Sequence, residues 1–155
     1  MKIKLILLAL VTLALHSCKK SEDVKTEDQT TVETPVAQPT STKECYEYVK
    51  GKDTIQANLT VENMNVSGNL NYKFAEKDKN SGTIAGTISG DTIYAEYTFM
   101  SEGTESVRQV VFLRKNKTLT EGYGESTEIK SKTVFKDTKK LDFTASMVLN
   151  EIPCK

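Results

Sequence analysis

Polar and apolar side chains alternate without a break through Thr54-Ile55-Gln56-Ala57-Asn58-Leu59-Thr60-Val61-Glu62. A period of two places successive side chains on opposite faces of a β-strand, so that one face is buried and the other meets solvent. Antiparallel sheets have this character, whereas the strands of buried parallel sheets are apolar on both faces. The stretch therefore predicts an antiparallel, all-β fold.

The same alternation recurs in three further runs, at residues 66–74, 93–99 and 141–149. Turns rich in Gly, Asn, Asp and Ser separate the runs, which predicts a meander of consecutive hairpins. We expect the meander to close into a small up-and-down barrel, because closure removes unpaired strand edges. A two-sheet sandwich is the alternative. The eight predicted strands lie near residues 44–49, 54–62, 65–75, 82–88, 92–100, 105–114, 117–123 and 141–149.

The inward-facing positions should form one core face. A domain of about 110 residues has little apolar material to spare, so we expect a filled or nearly filled interior. Function would then lie on the loops at residues 101–105 and 121–128. Residues 125–140 are compatible with a long loop, a ninth strand near 133–135 or a short helix across a barrel end. The predicted core comprises Val66, Leu70, Tyr72, Phe74, Ile93, Ala95, Tyr97, Phe99, Phe143, Met147 and Leu149.

Residues 1–17 have the composition of a secretory signal peptide. Lys2 and Lys4 precede an apolar run over residues 5–15 that only Thr12 interrupts. As a helix, these eleven residues would extend about 16 Å, roughly half the apolar thickness of a bilayer. The run is therefore too short for a transmembrane helix and suits a signal-peptide core.

Leu15-His16-Ser17-Cys18 resembles the lipobox of bacterial lipoproteins, with His16 in place of the usual small residue. The resemblance implies cleavage before Cys18 and its acylation, which would anchor the protein stably on a bilayer. The charged residues 19–23 resemble the surface-export signal of Bacteroidota-type lipoproteins. We therefore expect a lipid-anchored protein of the outer membrane or cell surface, with the periplasmic face as the alternative.

Residues 18–43 form the predicted lipidated terminus and tether, and residues 44–155 the predicted β-domain. Beyond Cys18, the tether lacks aromatic residues, Leu, Ile and Met, and it contains Pro35 and Pro39. Such a segment cannot bury enough apolar area to offset the entropy cost of ordering.

Cys45 and Cys154 are the two cysteines left once Cys18 carries the lipid. An exported chain occupies a compartment that permits disulfides, and the first and last strands of a closed meander are neighbours. We predict a bridge between them, with two buried free thiols as the alternative.

The composition argues against several activities. The chain has 21 basic and 21 acidic residues, and removing Lys2 and Lys4 with the signal peptide leaves 19 against 21. A basic surface for nucleic acid is therefore not expected. The single histidine, His16, lies in the cleaved segment. We expect a protein without catalytic residues, metal or cofactor.

Several weaker patterns remain. The carboxylate pairs Glu102/Glu105 and Glu121/Glu125 have the residue type of a glycosidase pair. Residues 78–82 resemble the start of a calcium loop but lack its later ligands, so a hairpin turn is favoured. Thr54 and Thr92 lie in Asp-Thr-Ile triplets that match an O-glycosylation motif of Bacteroidota.

Loop residues near two glycines are the candidate partner-binding positions: Glu102, Gly103, Arg108, Glu121, Gly122 and Tyr123. Glycine permits close approach by a partner, although turn geometry alone also explains it. Arg108 lies next to Val110-Val111-Phe112-Leu113, which breaks the alternation and predicts a strand covered on both faces or a bulge. The guanidinium could pair with Glu121 inside the barrel, bind an anion or remain solvated.

Three functions compete on this basis. A binding module for a small ligand or an envelope protein comes first, an accessory subunit of an envelope complex second, and a carboxylate hydrolase third. A further likeness is to lipoprotein inhibitors of C-type lysozyme, which share an eight-stranded barrel and a Ser-Gly-x-x-Tyr loop. Residues 89–94 carry one residue more than that loop, which would turn Tyr94 to the opposite face of its strand.

Overall fold

The computed structural model describes residues 40–75, 77, 79–144 and 147–155. Predictions on the signal peptide, on Cys18 and on the tether up to residue 39 lie outside these residues. Within the described part of the chain, no helix has the length and hydrophobicity needed to cross a bilayer. The elements are β1 (Ser41–Lys50), β2 (Asp53–Glu62), β3 (Asn65–Lys73), β4 (Asn80–Ser89), β5 (Thr92–Ser101), β6 (Thr104–Lys115), β7 (Thr118–Glu121), β8 (Ser126–Ile129), β9 (Lys132–Phe135), a 3-10 turn (Thr138–Lys140) and β10 (Val148–Ile152).

Eight of the strands form a closed antiparallel barrel, as the alternation predicted. Strands β1 to β7 pair consecutively, and β10 lies between β7 and β1 to complete the ring. Strand β1 begins at Ser41, where it pairs with Glu62 at the end of β2. The predicted domain start at residue 44 is therefore three residues late, because backbone pairing extends the strand into a polar segment.

Glycines allow the strands to approach closely where the barrel wall bends. A Cβ atom on Gly82 would collide with the carbonyl oxygen of Thr98, and one on Gly86 with that of Tyr94. Both glycines lie on β4, opposite β5. Strand glycines of this kind mark the tight bends of small barrels.

The interior is filled over most of its length. Of the predicted core residues, Val66, Leu70, Tyr72, Ile93, Ala95, Tyr97 and Leu149 are buried in one cluster. Phe74, Phe99 and Met147 are half-buried and pack against that cluster. The prediction for Phe143 is wrong. Its ring lies over Gly122, where an added Cβ would come within 2.7 Å of it.

The last barrel strand also differs from its prediction, since β10 covers Val148–Ile152 rather than residues 141–149. The segment around Leu141 and Phe143 leaves the barrel wall, and Asp142 exchanges backbone hydrogen bonds with Tyr123 at 2.8 and 2.9 Å. Pairing of Cys45 with Ile152 determines where the final strand must lie. Alternation alone could not distinguish a strand inside the wall from a segment that packs against it.

Residues 126–135 form a hairpin, β8–β9, which includes the ninth strand proposed for this region. Strand β9 pairs in parallel with β6 at Val107 and Arg108, and the backbone N–H of Phe135 donates to the Gln109 side chain at 3.0 Å. Val110, Val111 and Phe112 of β6 are all fully buried. This confirms that β6 is covered on both faces.

The predicted disulfide is present. Cys45 and Cys154 are bonded with their Cα atoms 5.3 Å apart. The bridge joins β1 to the C-terminal tail just beyond β10, so it ties together the first and last strands of the ring.

Candidate functional site

The barrel is open at the end where β2 and β4 begin and where β1, β3 and β5 end. Strand β1 pairs with β10 only over Cys45–Glu47, and β6 pairs with β7 only over Phe112–Lys115, so both pairings stop short of this end. The wall between β1 and β6 is therefore incomplete near the opening. A cavity of about 760 Å³ lies there.

We call this cavity the mouth cup and define it by Tyr72, Phe74, Phe99, Arg108, Tyr123 and Met147. Asp53, Ala75, Lys77 and Asn80 complete its lining. The period of two explains the arrangement. Phe74, directly after β3, is the next inward position beyond Tyr72, and Phe99 is the next beyond Tyr97 on β5, each one step nearer the opening.

A polar layer forms the floor of the mouth cup. The Tyr72 hydroxyl donates to Glu121 at 2.7 Å, and Nη1 of Arg108 donates to the same carboxylate at 3.0 Å. Strands β3 and β7 lie four positions apart in either direction around the ring, so the Tyr72–Glu121 hydrogen bond crosses the barrel. The hydroxyl of Tyr123 adds a longer hydrogen bond to Glu121 at 3.3 Å.

Aromatic rings hold the guanidinium of Arg108. Its Cζ atom lies 5.3 Å from the ring centroid of Tyr72 and 5.5 Å from that of Tyr97. Both distances are within the range of cation–π attraction. Phe99 stacks on Tyr97 with centroids 4.7 Å apart and an interplanar angle of 11°. The guanidinium is thus flanked by two aromatic rings.

Burial changes the ionisation of these groups. Desolvation, reinforced by the Glu121 charge, raises the pKa of Tyr72 well above its usual value. Desolvation raises the pKa of Tyr97 to about 12 and that of Tyr123 to about 12. Burial alone would lower the pKa of Arg108, but the Glu121 carboxylate raises it above the usual arginine value. At neutral pH the layer therefore contains an ion pair and neutral phenols.

Two buried polar atoms near the mouth cup lack partners among the described residues. The hydroxyl of Tyr97 accepts and donates no hydrogen bond there, although this residue is fully buried. Oδ1 of Asn80, which lines the cup, is likewise unpartnered. Buried polar groups are normally satisfied by protein, water or ligand, so Asn80 Oδ1 points to a polar occupant of the cup, whereas Tyr97 lies outside the cup lining.

The sequence-based candidates divide into two groups. Arg108, Glu121 and Tyr123 come together in the floor, as the proposed pairing of Arg108 with Glu121 expected. Glu102 and Gly103 form the β5–β6 turn with φ angles of 51° and 78° and do not line the cup. Gly122 follows β7, where the Phe143 ring leaves no space for a side chain.

The remaining candidates lie elsewhere. Thr54 is the second residue of β2, and Thr92 is the first residue of β5. Both are half-buried. Glu125 is exposed and pairs with Lys136 at 3.1 Å, a different setting from the buried Glu121. Asn80 to Gly82 belong to β4, and Asp78 lies outside the described residues. Across the described ranges, no group of three or more potential metal-ligating side chains occurs.

The loop compared with lysozyme inhibitors lies at the opposite end of the barrel. Strand β4 ends at Ser89, Gly90 and Asp91 form the turn, and Ile93 faces the core. Tyr94 therefore faces outward, as the extra residue in this loop predicted.

Sequence reasoning missed Tyr72 and Tyr97 as members of the site, since both were assigned to the core. Their hydroxyl groups could have indicated a polar site inside the barrel, because a buried phenol needs a hydrogen-bond partner. We compared the chain with protein-family models, with curated proteins and with solved structures, and none of the three comparisons gives a match.

Proposed function

We propose that this chain is a lipid-anchored envelope protein whose barrel binds a small ligand in the mouth cup without converting it chemically. The observation that carries the binding role is the cup itself, with its aromatic lining and with Asn80 Oδ1 unpartnered among the described residues. Its volume of about 760 Å³ falls within the range of about 300–1,000 Å³ typical of ligand pockets.

The anchoring role rests on the sequence of residues 1–18, and the direction of β1 is compatible with it. Ser41 lies at the barrel end opposite the mouth cup, next to the β2–β3 turn. A chain attached through its N-terminus would therefore leave the cup accessible to ligands from solution.

A non-enzymatic role is supported by the state of the buried carboxylate. Glu121 accepts hydrogen bonds from a guanidinium and two phenols. A general base needs an oxygen directed at its substrate. The neighbouring acid, Glu125, is exposed and paired with Lys136, so the two do not form a converging pair.

The binding role can be tested by blocking the cup. Ala75→Trp places a large side chain in its lining, and Met64→Trp is the matched control on an exposed turn at the opposite barrel end. Native mass spectrometry of protein purified from cells should find a bound small molecule on the wild-type chain and on Met64→Trp, but not on Ala75→Trp. Equal ligand content in the two variants would reject the cup as the site.

The anchor has a separate test. Cys18→Ser should move the protein from the membrane fraction to the soluble fraction, because the acyl attachment atom is lost. Unchanged membrane association of this variant would reject the lipoprotein assignment and leave the binding role standing.

A further inference from the structure

The floor of the mouth cup has more hydrogen-bond donors than its own residues use. A guanidinium carries five N–H groups, yet Arg108 donates to the described residues only through Nη1. Its side chain is 29 % exposed, whereas that of Glu121 is 4 % exposed. The hydroxyl of Tyr97, whose ring lies against the same guanidinium, also has no partner among the described residues, but Tyr97 is fully buried and does not line the cup.

The acceptors of the floor, by contrast, are already engaged. Glu121 accepts from Arg108, Tyr72 and Tyr123. Asp53, at the rim, accepts from the backbone N–H of Ala75 at 2.8 Å. Oδ1 of Asn80 is an unpartnered acceptor elsewhere in the lining, but a ligand group that reaches the floor meets the N–H donors of Arg108, which suit an acceptor with negative charge.

The wall above the floor is apolar. Phe74 and Phe99 lie one inward position nearer the opening than the two floor tyrosines, and Met147 faces the same space. Lys77 stands at the rim, with Nζ 6.0 Å from the Phe74 ring centroid. A ligand that reaches Arg108 must therefore place its remaining atoms against aromatic rings.

We propose that the mouth cup binds an amphiphilic carboxylate. The carboxylate accepts hydrogen bonds from the free N–H groups of Arg108, and the aliphatic or aromatic body lies against Phe74 and Phe99. Guanidinium groups bind carboxylates in two-point geometry, and burial beneath an apolar wall strengthens such bonds. This inference rests on the proposed function, since it names the ligand class of the same cavity.

A matched pair of arginines makes the test specific. Arg114 is also an inward residue of β6 with a glutamate partner, Glu44 at 2.6 Å, but it lies at the opposite end of the barrel. Equilibrium dialysis of the full chain would measure binding of dodecanoate, naphthoate and the neutral dodecanol to wild type, Arg108→Gln, Arg114→Gln and Tyr97→Phe. Binding elsewhere on the chain is common to all variants, so differences between variants are the readout.

We expect Arg108→Gln to weaken carboxylate binding at least about tenfold, whereas Tyr97→Phe, which removes a hydroxyl outside the cup lining, should bind as wild type does. Arg114→Gln should bind as wild type does. Dodecanol should bind more weakly than dodecanoate and should not respond to Arg108→Gln. Preference for dodecanoate identifies an aliphatic acid, and preference for naphthoate an aromatic one; either result supports a carboxylate ligand.

Two results overturn the inference in distinguishable ways. If dodecanol binds as tightly as dodecanoate and only Phe99→Ala weakens both, the cup binds apolar molecules without recognising a carboxylate. If no probe responds to any cup variant, the proposed binding function fails as well. Should Arg108→Gln fold poorly, Arg108→Gln/Glu121→Gln avoids a buried unpaired carboxylate, and the difference in affinity between dodecanoate and dodecanol for the wild-type protein provides an independent measurement.

Discussion

Arg108 and Arg114 lie six residues apart on β6, and each pairs inside the barrel with a glutamate that also accepts a tyrosine hydroxyl. Arg108 pairs with Glu121 at 3.0 Å, and Arg114 with Glu44 at 2.6 Å. The phenols are those of Tyr72 and Tyr46 respectively. Six residues of strand extend about 20 Å, so the two polar clusters lie near opposite ends of an otherwise apolar interior.

The ion pair of the cup floor should show strong coupling. Arg108→Gln should lower the free energy of unfolding by about 2–4 kcal/mol, because it leaves the Glu121 charge buried without its cation. The double variant Arg108→Gln/Glu121→Gln should lose less than the sum of the single losses, with a coupling of about 1–3 kcal/mol. Urea unfolding measures all three, and the Arg114→Gln/Glu44→Gln cycle is the control. Additive losses at the floor would contradict direct pairing.

Two Tyr→Phe substitutions should have opposite effects on stability. Tyr97→Phe removes a buried hydroxyl without a partner among the described residues, so it should raise the free energy of unfolding by about 1 kcal/mol. Tyr72→Phe removes a hydrogen-bond donor to Glu121 and should lower the free energy of unfolding by about 1–3 kcal/mol. The chemical change is the same in both, so each is the control for the other. Equal effects in urea unfolding would show that the two hydroxyls have equivalent surroundings.

The disulfide should make a large contribution to stability. It joins residues separated by 109 positions, and in the chain-entropy model a loop of this length is worth about 4–5 kcal/mol. Cys45→Ala/Cys154→Ala should lose about this amount relative to the oxidised wild type. The reduced wild-type protein is the matched control and should approach the double variant. Unfolding midpoints that do not depend on reductant would refute the contribution.

Stability should decline in alkaline solution. Tyr97 and Tyr123 have pKa values raised from 10.0 to about 12 by burial, so the folded state retains protons that the unfolded chain loses. Their contribution is therefore complete below pH 10 and is lost as pH rises from about 10 towards 12. Because the chain contains no tryptophan, the absorbance of ionised tyrosine can be followed directly. This absorbance should rise as the far-ultraviolet circular dichroism signal of the β-sheet is lost. Ionisation of Tyr97 well before unfolding would contradict its burial.

Most of the barrel could be predicted from the sequence. Alternation in residues 54–62 and in the runs that follow determines which side chains face inward, because successive side chains of a strand point to opposite faces. Short turns make consecutive strands neighbours, and this local relation places β1 to β7 correctly. The disulfide followed from closure, since a ring brings the first and last strands together.

The final strand could not be placed in this way. Leu141 and Phe143 alternate with polar residues as an edge strand would, yet they pack near Gly122 outside the wall. Among the described residues, 125–144 have no adjacent hairpin partner in the barrel, so their location depends on long-range contacts. Those contacts include the pairing of β9 with β6 and of Asp142 with Tyr123.

The sequence by itself determined the strand period, the inward faces and the neighbour order of β1 to β7, because these depend on side-chain alternation and short connections. Only the tertiary structure decided the floor of the mouth cup. Tyr72 and Glu121 are 49 residues apart and lie on opposite sides of the ring, and they meet because closure directs both inward at the same level. The incomplete wall between β1 and β6 leaves the space above these two residues open. Local sequence patterns do not predict this opening, because it depends on how far β7 and β10 extend along the barrel.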